Sequence, residues 1–362
     1  MKISYLLIKK NNNLDIIRIL LALLVIFGHS AILNGESKFW IDPITYFFEY
    51  TYSGALAVKM FFFISGMVVT NSYLHKMDAV YFINSRIFRI MPLLFVVLII
   101  TVFVFGVILT NLQIKDYFSS LDGFSYIWRN LLFKTRFDLP GVFNDNIFPN
   151  TVNGSLWSLK YEVGCYIIVL FSFLILGKKN KNYLNIPILL VILDSFLPEG
   201  MFYHYLGNNS EINLTPVSFA LGSFFAVNSN KINMNLITVF FTIIVYYIFK
   251  DTQKNHIFLI ISAATIITYM SSNKSILKMK PKYDISYGVY LWGFIIQQTL
   301  FHYLGYIYTG LHCFIAMLFA VILGFLSYVL IEKPFMAFGK KLFGIYKRKV
   351  NVIFNKPKYN NS

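Results

Sequence analysis

The chain has 362 residues, of which 57% are hydrophobic and 13% charged, with a mean hydropathy of +0.62. That leaves too little polar surface for a water-soluble globule of this length. The formal charge of +16 would suit a nucleic-acid partner, but its distribution follows a membrane pattern and excludes that reading.

Hydropathy places about ten apolar segments along the chain, near 14–33, 54–74, 91–110, 156–176, 183–197, 212–229, 235–250, 256–271, 285–304 and 312–331. A bilayer crossing takes roughly 20 apolar residues, so the short or polar-interrupted fifth, sixth and seventh make the count uncertain by one or two. Pro216 and Gly222 suggest a tilted or broken sixth span. Basic residues fall in alternate connections: Lys9 and Lys10, then Lys76, Arg86 and Arg89, then Lys178, Lys179 and Lys181. Lys274, Lys278, Lys280 and Lys282 follow, and then Lys340, Lys341, Lys347, Arg348 and Lys349. The opposite connections hold most of the acids, among them Glu36, Asp42, Glu49, Asp138, Asp145, Glu199 and Glu211. This positive-inside pattern orients both termini to the cytoplasm, and the charge reports topology and contact with anionic lipid. The expected fold is an all-α polytopic integral membrane protein, with a transmembrane domain over 1–338 and a mobile basic cytoplasmic tail over 339–362. The first apolar run is too long for a signal peptide and lacks a convincing small-residue cleavage site, so it reads as a retained span. Cys165 and Cys313 sit inside spans, and neither a disulfide framework nor a metal site is expected of them.

In the first span, Asp15, Arg18 and His29 interrupt an otherwise apolar sequence (LDIIRILLALLVIFGHSAIL). Ionisable groups at membrane depth are costly and tend to mark a functional path. Arg18 and His29 are eleven residues apart, close to three full turns, which puts them on one face about 16 Å apart. Arg86 and Arg89, three residues apart ahead of the third span, point in similar directions and suit phosphate, with Pro92 fitting the start of that helix. Standing alone, the pair would read rather as an ordinary cytoplasmic anchor. The long connection 111–154 is rich in aromatics (Phe118, Phe124, Tyr126, Trp128, Phe133, Phe137, Phe143, Phe148). An interfacial aromatic belt accounts for them more readily than stacking on sugar rings does. At the external mouth of the fourth span, Asn153-Gly154-Ser155-Leu156-Trp157-Ser158 leads to Glu162, a carboxylate that needs a partner or a proton. Lys160 and His29 are the two candidates. A Glu–His pair would raise the basicity of the imidazole, as a general base requires.

These blocks, in order and over nearly the whole chain, resemble the membrane-bound acyltransferase family 3, of the O-antigen and peptidoglycan O-acetylase type. They are Leu14-Asp15 with Arg18 and His29; Phe61-Phe62-Phe63-Ile64-Ser65-Gly66; and Ser85-Arg86 through Arg89 to Pro92. They continue with Gly154-Ser155-Leu156-Trp157-Ser158-Leu159 through Glu162, Ser286-Tyr287-Gly288-Val289-Tyr290-Leu291-Trp292, and Leu326-Ser327-Tyr328 through Glu332-Lys333-Pro334-Phe335. The resemblance implies transfer of an acetyl or short acyl group from cytoplasmic acyl-CoA to a hydroxyl of an envelope glycan or its lipid-linked precursor, with acetyl-CoA as donor substrate and no metal. It makes His29 the essential histidine, as general base or transient acyl carrier, Arg18, Arg86 and Arg89 the donor-binding cations, and Glu162 the acidic position. Asp15, Ser65, Ser155 and Tyr287 are candidate supports, the last three as oxyanion donors. Two positions depart from the family's pattern: Val163 stands where a second Glu is frequent, and Gly293 where a His is frequent. His29 is then the one strong histidine candidate, because His75, His204, His256, His302 and His312 fall at span ends or in connections. No SGNH-type hydrolase domain follows the last span, so transfer would be completed by the membrane domain or a partner. A glycan flippase or an O-antigen polymerase is the alternative class, and a small-molecule acceptor the alternative substrate.

Overall fold

The computed structural model describes residues 1–35, 40–177, 180–197, 200 and 210–354. Glu36, Lys178, Lys179, Glu199 and His204 lie outside them, as do the side chains of Glu211 and Lys349 and the chain beyond Phe354. Among the described residues the fold is all helical, with two isolated β-bridges and no strand. The principal helices are α1 (Leu14–Asn34), α2 (Ser53–Lys76), α3 (Ala79–Ile100), α4 (Asp122–Leu131), α5 (Leu159–Ser172) and α6 (Asn185–Asp194). They continue with α7 (Ser210–Val227), α8 (Leu236–Phe249), α9 (Asn255–Ser271), α10 (Ser286–Leu304), α11 (Thr309–Ser327) and α12 (Lys333–Phe354).

Local chemistry sets the helix ends. The Asn13 side chain accepts from the Ile16 N–H to open α1, and Gly35 closes it in a left-handed conformation with φ +82°, which glycine adopts without penalty. Asp78 caps α3 at the Tyr81 N–H. That helix therefore begins a dozen residues before its apolar run, with Arg86 and Arg89 inside it and Pro92 in its interior rather than at its start. Pro216 likewise lies within a helix that runs unbroken from Ser210 to Val227.

Among the described residues, five helical stretches are long and apolar enough to cross a membrane: Leu14–Asn34, Ser53–Lys76, Ala79–Leu109, Gly154–Gly177 and Thr309–Arg348. Ile212–Val227, Leu236–Phe249 and Asn255–Ser271 are apolar but shorter. α10 has 19 residues and is buried almost continuously from Ser286 to Gln298. Surrounded by protein, it carries Gln297 and Gln298 where a lipid-facing helix would need apolar side chains. The stretch 339–354, set apart in the sequence by its charge, continues α12 as helix. It lies along α3, with Phe338 against Phe88, Phe343 against Tyr81, and the Asn84 amide donating to the Gly339 carbonyl at 2.9 Å.

The connection before α5 folds into the bundle. Asn146 donates to the Gln298 carbonyl and side-chain oxygen at 3.0 and 2.9 Å, Gln298 donates to the carbonyls of Phe148 and Thr151, and Asn153 donates to the Leu291 carbonyl at 2.9 Å. Buried amides paired in this way hold Gly154–Ser158 against α10. Trp128, Phe124 and Phe148 remain exposed while Tyr126 and Phe143 are buried.

Helices α2 and α7 cross at glycines. A β-carbon on Gly66 would sit 2.0 Å from the Phe219 carbonyl oxygen, and one on Gly222 the same distance from that of Phe63. Small residues let two membrane helices approach this closely, and the crossing fixes Ser65, one residue from Gly66. Gly222→Val is expected to destabilise the protein by about 3 kcal/mol, the upper range for overpacking because backbone must move. The check is a lowered melting temperature of the detergent-solubilised protein.

Candidate active site

The basic end of the bundle opens into a cavity of about 300 Å³ lined by side chains from α1, α2, α3, α5, α10 and α12. Arg18, Ser65, Arg86, Arg89, Glu162 and Tyr287 all face it. Six residues nominated from sequence blocks far apart in the chain thus share one space. The three-residue spacing of Arg86 and Arg89 brings both to it from the same face of α3.

The three arginines are not equivalent. Arg18 and Arg89 both donate to Asp284 Oδ2, at 2.6 and 3.0 Å, and Arg89 also donates to Glu332. Glu332 is 1% exposed, and its other oxygen is buried with no hydrogen-bond partner among the described residues. Asp284 Oδ1 accepts from the Ser286 N–H and hydroxyl at the start of α10, where the helix dipole favours a negative charge. Burial alone would raise the Asp284 pKa, but Arg18, Arg89 and Ser286 outweigh it and hold the carboxyl down at about 2. Two guanidiniums and two carboxylates therefore cancel within this network. Arg86 has no carboxylate partner among the described residues. It donates to the Ser85 hydroxyl and lies over the Tyr166 ring at 5.9 Å, and the exposed Lys340 lines the same cavity.

Glu162 meets neither of the partners considered for it. Its Oε1 accepts from Ser65 Oγ at 3.0 Å and from the Tyr166 hydroxyl at 2.5 Å, one turn along α5, while Lys160 lies over the Tyr161 ring. Two hydroxyl donors satisfy a carboxylate at membrane depth. Tyr287 donates to the Ile90 carbonyl at 3.2 Å.

His29 lies deeper, in a separate chamber of about 30 Å³ that it shares with Val25, Tyr52, Ala55, Val58, Trp157 and Tyr290. Its Nε2 is 3.5 Å from the Tyr52 hydroxyl, and the Phe294 ring meets the imidazole edge-on at 5.6 Å. Gly28 makes room for this arrangement: a β-carbon there would lie 2.4 Å from the Gly54 nitrogen. Val58 and Tyr290 line both the chamber and the larger cavity. Ser155 stands behind that boundary, 2% exposed, with its carbonyl accepting from the Tyr290 hydroxyl. Asp15 pairs with Lys9 at 3.5 Å and lines neither space.

Over residues 11–331 the chain matches the family described as the acyltransferase domain. The chain belongs to that family. It is 27% identical over 344 residues, 90% of this chain and 96% of the relative, to an O-acetyl transferase of Shigella phage Sf6. A shorter match, 39% over 90 residues, covers 24% of the chain and 22% of nodulation protein 10 of Rhizobium leguminosarum bv. viciae. No solved structure matches. The protein is thus an acyltransferase and, with its several apolar helices, a multi-pass membrane protein.

Sequence reading missed several residues of this candidate site: Asp284, Lys340 and Tyr52, and Tyr166 as the partner of Glu162. Asp284 carried a usable signal, because it is a lone acid directly after Lys274, Lys278, Lys280 and Lys282. Tyr52 and Tyr166 carried none in a chain with 25 tyrosines.

Proposed function

We propose that this acyltransferase moves an acetyl group from cytoplasmic acetyl-CoA to a hydroxyl of a cell-envelope polysaccharide or its lipid-linked precursor. In this reading it lies in the bacterial inner membrane with about ten crossings and both termini in the cytoplasm. The observation that carries the reading is the convergence of Arg86, Arg89, Arg18, Ser65, Glu162 and Tyr287 on one cavity at the basic end, with His29 in the chamber beyond it. The O-acetyl transferase relative, matched along nearly its whole length, supports the acetyl group and the oxygen acceptor.

A cavity of about 300 Å³ is at the lower limit for small-molecule sites. It takes a pantetheine arm and leaves the nucleotide at the mouth, where Arg86 and Lys340 meet its phosphates. Arg18 and Arg89, neutralised by Asp284 and Glu332, shape the mouth rather than supply net charge. The arm then runs inward along α1 and brings the thioester carbonyl to the Val58–Tyr290 boundary. His29 Nε2 takes the proton of the acceptor hydroxyl as its oxygen attacks that carbonyl, and Tyr52 keeps the imidazole in place. Collapse of the tetrahedral intermediate breaks the carbon–sulfur bond, and the thiolate leaves with the proton from His29. The acyl ester and free CoA are the products.

The test is NMR of envelope polysaccharide from cells with and without the gene. Acetyl signals that depend on the gene and vanish in mild alkali are expected. Unchanged acetylation with altered chain length or surface display would replace this reading with a polymerase or flippase.

A further inference from the structure

We infer that Val58, with Val25 on the facing helix, sets the acyl-chain length this enzyme accepts; the inference rests on the acyl-CoA reading above. Tyr290 and Val58 are shared by the donor cavity and the His29 chamber, so the acyl group has to pass between them to reach the imidazole. Tyr290 is fixed there. Its hydroxyl bonds Ser158 Oγ at 2.7 Å and the Ser155 carbonyl at 3.0 Å, and its ring meets Phe61 edge-on. Val58 is a β-branched residue on a helix, largely restricted to one rotamer, and it is 7% exposed. Neither side of the boundary yields by simple side-chain rotation.

Beyond it the chamber holds about 30 Å³, room for about two water-sized groups. With the carbonyl held at the Val58–Tyr290 boundary, the acyl methyl and the acceptor hydroxyl oxygen fill that volume. A propionyl group adds one methylene, which would have to displace Val58, Val25 or Ala55. Val25 is 3% exposed and Ala55 6%, so these walls are backed by packed protein and do not recede. One methylene in a closed apolar site discriminates by about 10- to 200-fold, and here the discrimination acts against the longer chain. A shortened side chain at either valine opens the chamber by two methyl groups without touching the arginines, Glu162 or His29.

The experiment uses membranes containing the full chain, with polysaccharide from the host envelope stripped of esters by mild alkali as acceptor. Radiolabelled acetyl-CoA and propionyl-CoA compete as donors, and alkali-labile label in the polysaccharide is counted for wild type, Val58→Ala and Val25→Ala. Wild type is expected to favour acetyl over propionyl by at least about tenfold, and each variant to lower that ratio by about tenfold. The ratio is independent of how much variant protein folds, and the second variant carries the test if the first does not insert. Acetyl transfer with an unchanged ratio in the variants, or a wild type that takes both donors equally, overturns the assignment and leaves the acyltransferase reading standing. A wild-type protein that is inserted yet transfers neither label overturns both.

Discussion

His29→Ala is expected to reduce acyl transfer by at least about a hundredfold, the lower bound for removing a positioned general base, with the bundle still inserted in the membrane. The side chain sits in its own chamber and touches Tyr52 and Phe294. Its removal therefore costs little packing, and alanine is the best helix former for the position in α1. Transfer of labelled acetyl to alkali-treated polysaccharide, normalised to membrane-extracted protein, measures the effect. Activity within a few-fold of wild type would remove His29 from the mechanism. A second measurement separates base from acyl carrier. Wild-type enzyme given acetyl-CoA without acceptor releases no stoichiometric burst of CoA if His29 acts only as a base, and one equivalent if the imidazole is acylated.

The sequence exposed the candidate site residues better than their partners. Arg18 and His29 were legible because polar groups on a membrane helix are rare, and their eleven-residue spacing is a property of helix geometry alone. Arg86, Arg89, Ser65, Glu162 and Tyr287 were legible from family-like blocks, and all of them reach the cavity. What joins them was not legible. Asp284 is 266 residues from Arg18 and 195 from Arg89, and nothing local to either arginine announces a carboxylate. For Glu162, the partners considered were a basic neighbour in sequence and a distant imidazole. Hydroxyls from Ser65 and Tyr166 satisfy it instead, because a carboxylate in an apolar setting needs donors, not necessarily a cation. Helix ends erred where a polar cap lay far from the apolar run. Asp78 caps the start of α3, so the apolar stretch marks only about the distal half of that helix. Gln298 and Asn146 draw the connection before α5 into the bundle, a contact between distant amides that no local pattern announces.

Asp284→Asn is expected to be the most damaging substitution outside the His29 chamber. One carboxylate holds Arg18 at 2.6 Å and Arg89 at 3.0 Å and joins α1 and α3 to the start of α10. Asparagine keeps the size and an acceptor oxygen but removes the charge, leaving Arg18 uncompensated and Arg89 on Glu332 alone. Breaking a buried ion pair from one side costs about 3 kcal/mol or more, and the partly exposed position of Arg18 argues for the lower figure. Asp284 ionises at about 2 in the folded protein against an ordinary 3.8. The carboxylate's contribution to stability is thus complete above about pH 4 and is lost as pH falls through 2. Wild-type protein in detergent should lose melting temperature across that window, and Asp284→Asn, already low at neutral pH, should lose less. Arg86→Ala should behave in the opposite way. With no carboxylate to orphan, it should melt like wild type and raise the KM for acetyl-CoA by about tenfold, with less effect on kcat, since it removes a contact made equally before and during the reaction. A variant pair in which Arg86→Ala unfolds and Asp284→Asn only weakens donor binding would exchange the two roles, making Arg86 structural and the Asp284 network the phosphate site.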